Sequence, residues 1–233
     1  MRLAGEINAE MVRLEDRFTS LVNKEITYDS IARLCREVVQ QFGGQVKLVN
    51  EKHEYKTYVP LSGEFNPRRS VGKRVWINVH KPSDRDIVKL GVDGVKQFWY
   101  RLPQILQHEL IHADYHQYRV DNCIAQDFNN RIVFLPGKKI SKKRVKEIGY
   151  LTELEELDAY GHDLVYEAKQ YYPNIPAREV LRTASRRKFL DPLNYYSTVF
   201  EGLDWSPVRK VLFEKARKWL PEVTLPPELH LPK

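Results

Sequence analysis

The residues that favour β-structure in this chain are confined to one stretch. "QVKLVN" (45–50), "YKTYVPL" (55–61) and "RVWINVHK" (74–81) are β-branched and aromatic runs, and the loop "SGEFNPRRSVGK" separates the last two. Helical patterns lie on both sides. Before the strands, "AEMVRLEDRFTSLV" (9–22) and "TYDSIARLCREVVQQFGG" (27–44) have helical spacing, the second opening on Thr27 or Asp29 and closing at Gly43. After them a helical run starts near Val95, and Pro103 either kinks it or opens a new helix. From Tyr150 onward nearly everything is helical: 151–172, 176–190, 191–200 and 206–220, ending in a Pro-rich tail, "LPPELHLPK", expected to be an extended strap or disordered. Strands gathered in one run among helices call for an α+β architecture. The expectation is a small sheet packed on one long helix with a mostly helical C-terminal half. A division near residue 150 separates parts 1–150 and 151–233, which form one compact domain.

At 233 residues, 42% hydrophobic and 30% charged, the chain lies within the globular range. "MRLAGEINAEMVRLEDRF" has no apolar signal core and no apolar run is long enough to span a bilayer, so a cytoplasmic protein is expected. Cys35 and Cys123 lack the paired spacing of a thiolate site and read as buried thiols. The net charge of +7 is concentrated locally at 138–146, within "GKKISKKRVK", and at 182–188, "RTASRRK". Such clusters suit an anionic partner, nucleic acid included, although no nucleic-acid-binding fingerprint accompanies them and a solvated surface explains them as well.

One segment is chemically unusual. "QHELIHADYHQY" (107–118) holds three of the seven histidines. His108, Glu109 and His112 form H-E-x-x-H, and on a helix residues four apart share a face, so two imidazoles can converge on one zinc ion while Glu109 serves as general base. His116 extends the series, but it lies roughly 12 Å along the axis from His108, too far to share one ion with it. It is expected in a cleft wall or a surface hydrogen bond.

A catalytic zinc site needs a third protein ligand. The acid-rich "YLTELEELDAYGHDL" (150–164) offers Glu153, Glu155, Glu156 and Asp158. Thr152 and Glu155 have capping-box spacing, which would turn Glu155 back on the backbone. Glu153 would sit at the first helical position, complementing the helix dipole. Glu156 is then the best-placed acid. The apolar stripe Leu154, Leu157, Gly161, Leu164, Val165, Ala168 lies nearer Glu153, which stays in reserve.

H-E-L-I-H followed by Y-L-T-E-L-E-E-L-D-A-Y resembles the gluzincin-type metallopeptidases, many of them encoded by tailed phages, over roughly residues 74–171. The resemblance implies a zincin-like fold, with His108, His112 and Glu156 as ligands to one zinc ion, Glu109 as catalytic acid/base, a peptide or protein substrate, and a location in the host cytoplasm or virion. It departs from the thermolysin-like form in having Tyr160 where an Asp follows the ligand Glu, so the carboxylate that orients a ligand histidine is left to Asp158, Asp163 or Asp114. His162, Tyr160 and Tyr115 are candidates to stabilise an oxyanion. The strand 74–79 is a candidate edge for an extended peptide. Two other readings remain. A DNA-associated Spartan/SprT-like protease would explain the basic clusters but would need a downstream histidine ligand, and only His162 and His230 follow. A non-enzymatic zinc-containing phage structural protein would have no use for Glu109.

Overall fold

In the computed structural model, residues 2–52, 58–70, 74–124, 140–187 and 190–231 are described below. The architecture is α+β with small sheets, and its residues cluster into two units. One comprises Met1–Ala113 with Thr224–Lys233, the other Asp114–Val223. The chain passes from the first to the second inside a helix, not near residue 150, and its last ten residues return to the first.

The first unit opens with α1 (Arg2–Arg13) and α2 (Glu15–Thr19), both within or ahead of the helix expected at 9–22. A short strand β1 (Glu25–Thr27) leads into α3 (Tyr28–Val39). Thr27 caps α3, its hydroxyl accepting the Ser30 N–H at 3.2 Å. A 3-10 turn follows and ends at Gly43, whose φ of 71° suits a residue without a side chain.

Then come β2 (Gln45–Glu51), β3 (Leu61–Phe65), β4 (Val75–Pro82) and β5 (Ile87–Lys89). β1 and β5 form an antiparallel pair, and the other sheet has the order β2-β4-β3. β4 runs parallel to β2 and antiparallel to β3. Two strand expectations change here. The second strand is "LSGEF", read above mostly as loop, while of "YKTYVPL" residues 55–57 lie outside the described residues and 58–60 form no strand. And β4 is the central strand, paired on both sides, so residues 74–79 offer no free edge; among the described residues the edges of this sheet are β2 and β3.

α4 (Val92–Asp121) is a single helix of 30 residues that passes through Pro103 without ending. Its buried face carries Val95, Phe98, Trp99, Leu102 and Leu106 into a core shared with Ile7, Met11, Phe18, the apolar side of α3, and the inward residues Val75, Ile77 and Val79 of β4. Phe18 meets Trp99 edge-on at 5.1 Å. The Pro-rich tail is a strap on this unit. Trp99 Nε1 donates to Pro227 O at 3.0 Å, Asn8 donates to Thr224, and Leu229 is buried in the core. Cys35 is buried here as expected, and burial pushes its thiol up to about 12. Cys123 is exposed instead, just past the end of α4 at a positive φ of 54°.

The second unit takes the last turns of α4 and adds α5 (Lys142–Leu151), α6 (Leu154–Tyr171), α7 (Ala177–Arg182), α8 (Asp191–Val199) and α9 (Ser206–Trp219). α6 is its centre: from Glu156 to Ala168 only Tyr160 is not buried. Gly161 allows α9 to approach closely, since a Cβ there would lie 2.9 Å from both Ala216 N and Lys215 Cβ. Leu151, Leu157, Tyr196, Phe200, Val208 and Leu212 fill the space beside it. Two charges serve as end caps: the buried Glu167 accepts the Asp191 N–H at the start of α8, and the half-buried Lys169 donates to Leu220 O and Val223 O beyond α9.

Candidate metal centre

The helical spacing of H-E-x-x-H is realised in α4. His108, Glu109 and His112 are 8%, 7% and 7% exposed, on the stretch of α4 that is buried almost continuously from Phe98 onward. The two imidazoles meet edge-on with centroids 5.2 Å apart. One turn of helix therefore sets both rings at one place, as the i, i+4 spacing requires.

Strand β3 closes over this helical turn with its inward residues. A Cβ on Gly63 would lie 2.2 Å from Glu109 Oε1 and 2.5 Å from Glu109 Cγ, so the glutamate side chain occupies the space that any other residue at position 63 would fill. Two residues along the same face, Phe65 stacks on His112, centroids 6.3 Å apart and planes 17° apart. Neither residue was singled out in the sequence. The available signal was the glycine within a short L-S-G-E-F alternation, since glycine inside a strand marks close approach by another group.

At the start of α6 the capping box is absent. Thr152 ends α5, donating its hydroxyl to Ile148 O at 2.9 Å, and the residue that precedes the first turn of α6 is Glu153, exposed and with no side-chain cap. Glu155 points to Arg119 on the last turns of α4 and forms an ion pair with it. Asp158 accepts the Tyr115 hydroxyl, is 3.3 Å from Lys215 Nζ, and takes the Trp219 indole N–H at 3.0 Å. Burial and this bond to Asp158 both push the Tyr115 hydroxyl well above its ordinary pKa, so it stays a proton donor. Glu155 and Asp158 thus flank Glu156 and tie its helical turn to α4 through Arg119 and Tyr115.

Glu156 is 6% exposed. Ligand atoms of His108, His112 and Glu156 all lie within 4.8 Å of one another, a group that could hold a metal ion. Two imidazoles and one carboxylate, each buried, are a donor set suited to a transition metal or zinc. Glu153, the reserve, is not in the group, and neither is His116. The apolar-stripe argument favoured Glu153 because it assumed that α6 buries one side only, whereas α6 is enclosed nearly all round.

Other sequence candidates take different positions. His162 is fully buried in the second unit, edge-on to Trp219 at 5.4 Å and with Asp163 Oδ1 3.2 Å from its Nδ1, the surroundings of a core residue. Tyr160, one turn beyond Glu156, is half-buried between the rings of Tyr195 and Tyr196. Burial and a hydrogen bond to Glu147 push the Tyr195 hydroxyl up to about 12. Of the carboxylates considered for orienting a ligand histidine, Asp158 is engaged with Tyr115, Lys215 and Trp219 as described, and Asp163 Oδ1 lies beside His162. Of the basic cluster at 138–146, Lys138 and Lys139 lie outside the described residues, and Arg144 is spent on the carbonyls of Val199 and Glu201. In the second cluster, at 182–188, Arg182 pairs with Glu179, Arg187 lies over Tyr172, and Lys188 is outside the described residues.

Among the described residues, no helix is long and apolar enough to cross a membrane. Comparison with protein-family models, with curated proteins and with solved structures finds no match.

Proposed function

We propose that the chain is a zinc-dependent metallopeptidase, with His108, His112 and Glu156 holding the ion and Glu109 acting as general base. The observation that carries this reading is the convergence of the three donors around the helical turn that also presents Glu109. A structural site would need the ligands but not a buried carboxylate beside them, lodged against Gly63. Zinc bound there would supply Lewis acidity toward a carbonyl oxygen and would bring the pKa of a bound water down to about 7.

The chain's own residues supply the rest. Glu109 takes a proton from the attacking water and passes it to the departing amine. Phe65 holds His112 in plane, and Gly63 leaves Glu109 the room to stand where it does. The substrate is an extended peptide lying along β3, whose inward face borders both residues. Tyr160 remains the candidate oxyanion donor, because the burial of His162 against Trp219 leaves that imidazole a packing role. A carboxylate as third ligand also separates the chain from the Spartan/SprT-like reading.

Metal analysis of purified variants tests the ligand set. His112→Ala and Glu156→Ala should each lose the roughly one zinc per chain carried by the wild type. Glu155→Ala should keep it and lose only stability, about 1–2 kcal/mol for the broken pair with Arg119. Zinc retained in Glu156→Ala and lost in Glu155→Ala would overturn the assignment.

A further inference from the structure

The second unit carries a groove apart from the metal-binding residues. It runs between α7 and α9 as a lobe of about 540 Å³ and an adjoining one of about 400 Å³, which share Leu181, Arg182, Phe213 and Arg217. Leu181 and Phe213 make an apolar floor. Arg178 and Arg182, one turn apart on α7, lie along one wall; Arg209 and Arg217, one turn either side of Phe213 on α9, lie along the other. Arg209 already lies over the Phe213 ring, 5.5 Å from its centroid. The groove's acid is Glu179, which holds Arg182 with two hydrogen bonds of 2.9 and 2.7 Å.

We infer that this groove binds single-stranded nucleic acid, with phosphates on the arginines and a base on Phe213. Two features select that ligand. Arginine presents a planar fork that matches phosphate oxygens two at a time, and every exposed cation lining the deeper lobe is an arginine. The α9 wall repeats cation, ring, cation at steps of roughly 6 Å along the helix, which suits a polymer with one charge and one flat base per unit. An acidic peptide would find the charges but no use for the ring between them. The site also differs from the lysine cluster on α5, where Arg144 is occupied by backbone carbonyls.

The experiment is fluorescence anisotropy of a labelled oligothymidylate titrated with the full-length chain at low salt. Binding should weaken as salt rises, with a log–log slope of about 0.7 per phosphate neutralised. Arg209→Glu with Arg217→Glu should weaken it at least about tenfold, as should the milder pair Arg209→Ala and Arg217→Ala if the first does not fold. Phe213→Leu should cost roughly 5- to 100-fold through the lost stack. Glu179→Gln should bind more tightly, because Arg182 is released to the ligand. Lys142→Glu with Lys143→Glu should change the affinity by less than about twofold, as expected of cations that touch no phosphate. No binding at low salt overturns the proposal. So does binding that only the α5 variant abolishes, a duplex bound as well as the single strand, or a polyglutamate peptide bound as tightly as the oligonucleotide.

Discussion

At the scale of single residues, Gly63 and Glu109 show what a local motif leaves out. H-E-x-x-H is legible because all its members lie within two turns of one helix, where spacing alone fixes which side chains share a face. The residue that makes room for the glutamate comes from a strand far back in the chain, and nothing in the motif points to it. Gly63→Ala is therefore the sharpest substitution outside the ligands. The new methyl would meet the Glu109 carboxylate and its Cγ, and the side chain must swing aside. The variant should lose about 1–3 kcal/mol to overpacking and about 100-fold in turnover through a misplaced base, with zinc content unchanged. Unfolding curves, metal analysis and peptide cleavage measured together separate those effects, and a fully active variant would show that Glu109 need not stand where it does. Glu156 against Glu153 was a closer decision in the sequence. It turned on the apolar stripe of the helix, whereas Glu155 was set aside on Thr152, a residue type that caps a following helix and equally well bonds back to the fourth carbonyl before it, and here it does the latter.

At the scale of elements, the helices with strong apolar periodicity were legible and the short pieces were not. Thr27, one of the two expected openings, caps α3, and α6, α8 and α9 lie close to their expected limits, whereas α7 ends at Arg182 and not near residue 190. β3 escaped because five residues with a glycine in the middle look like a turn. α5 escaped because its lysines read as a charge cluster, not as the exposed side of a helix whose Ile148 and Leu151 are buried. The tail's packing was open between strap and disorder, and the structure answers with specific contacts. One of them is pH-dependent. Hydrogen bonds from the His230 backbone N–H and ring hold the Glu15 carboxyl below its ordinary value of 4.5. A carboxyl with a depressed folded value stabilises the strap above pH 4.5, and that contribution fades as pH falls through the folded value. Hydrogen exchange at the His230 amide should thus gain protection with rising pH across this range in the wild type, beyond the intrinsic rate, and show no such gain in Glu15→Gln. Equal behaviour of the two would mean that the contact does not hold the strap.

At the scale of the whole molecule, the sequence conveyed the α+β class and most of the metal-binding set, because both depend on patterns within contiguous segments. It did not convey where the chain divides. The boundary falls inside α4, where the buried run ending at His112 gives way to the half-buried Tyr115 and Arg119, and the tail's return to the first unit depends on contacts between opposite ends of the chain, such as Asn8 with Thr224 and Glu15 with His230. Pattern within a window carries no information about such partners. The central claim about the molecule is that its buried glutamate performs chemistry. Glu109→Gln tests that most directly, since glutamine fills the same space against Gly63 and keeps the hydrogen-bonding reach, but takes up no proton. Cleavage of a peptide library by the zinc-loaded wild type, measured beside zinc-loaded Glu109→Gln of equal metal content and melting temperature, should fall by about 10²–10⁴-fold in the variant; equal cleavage by the two would contradict the account.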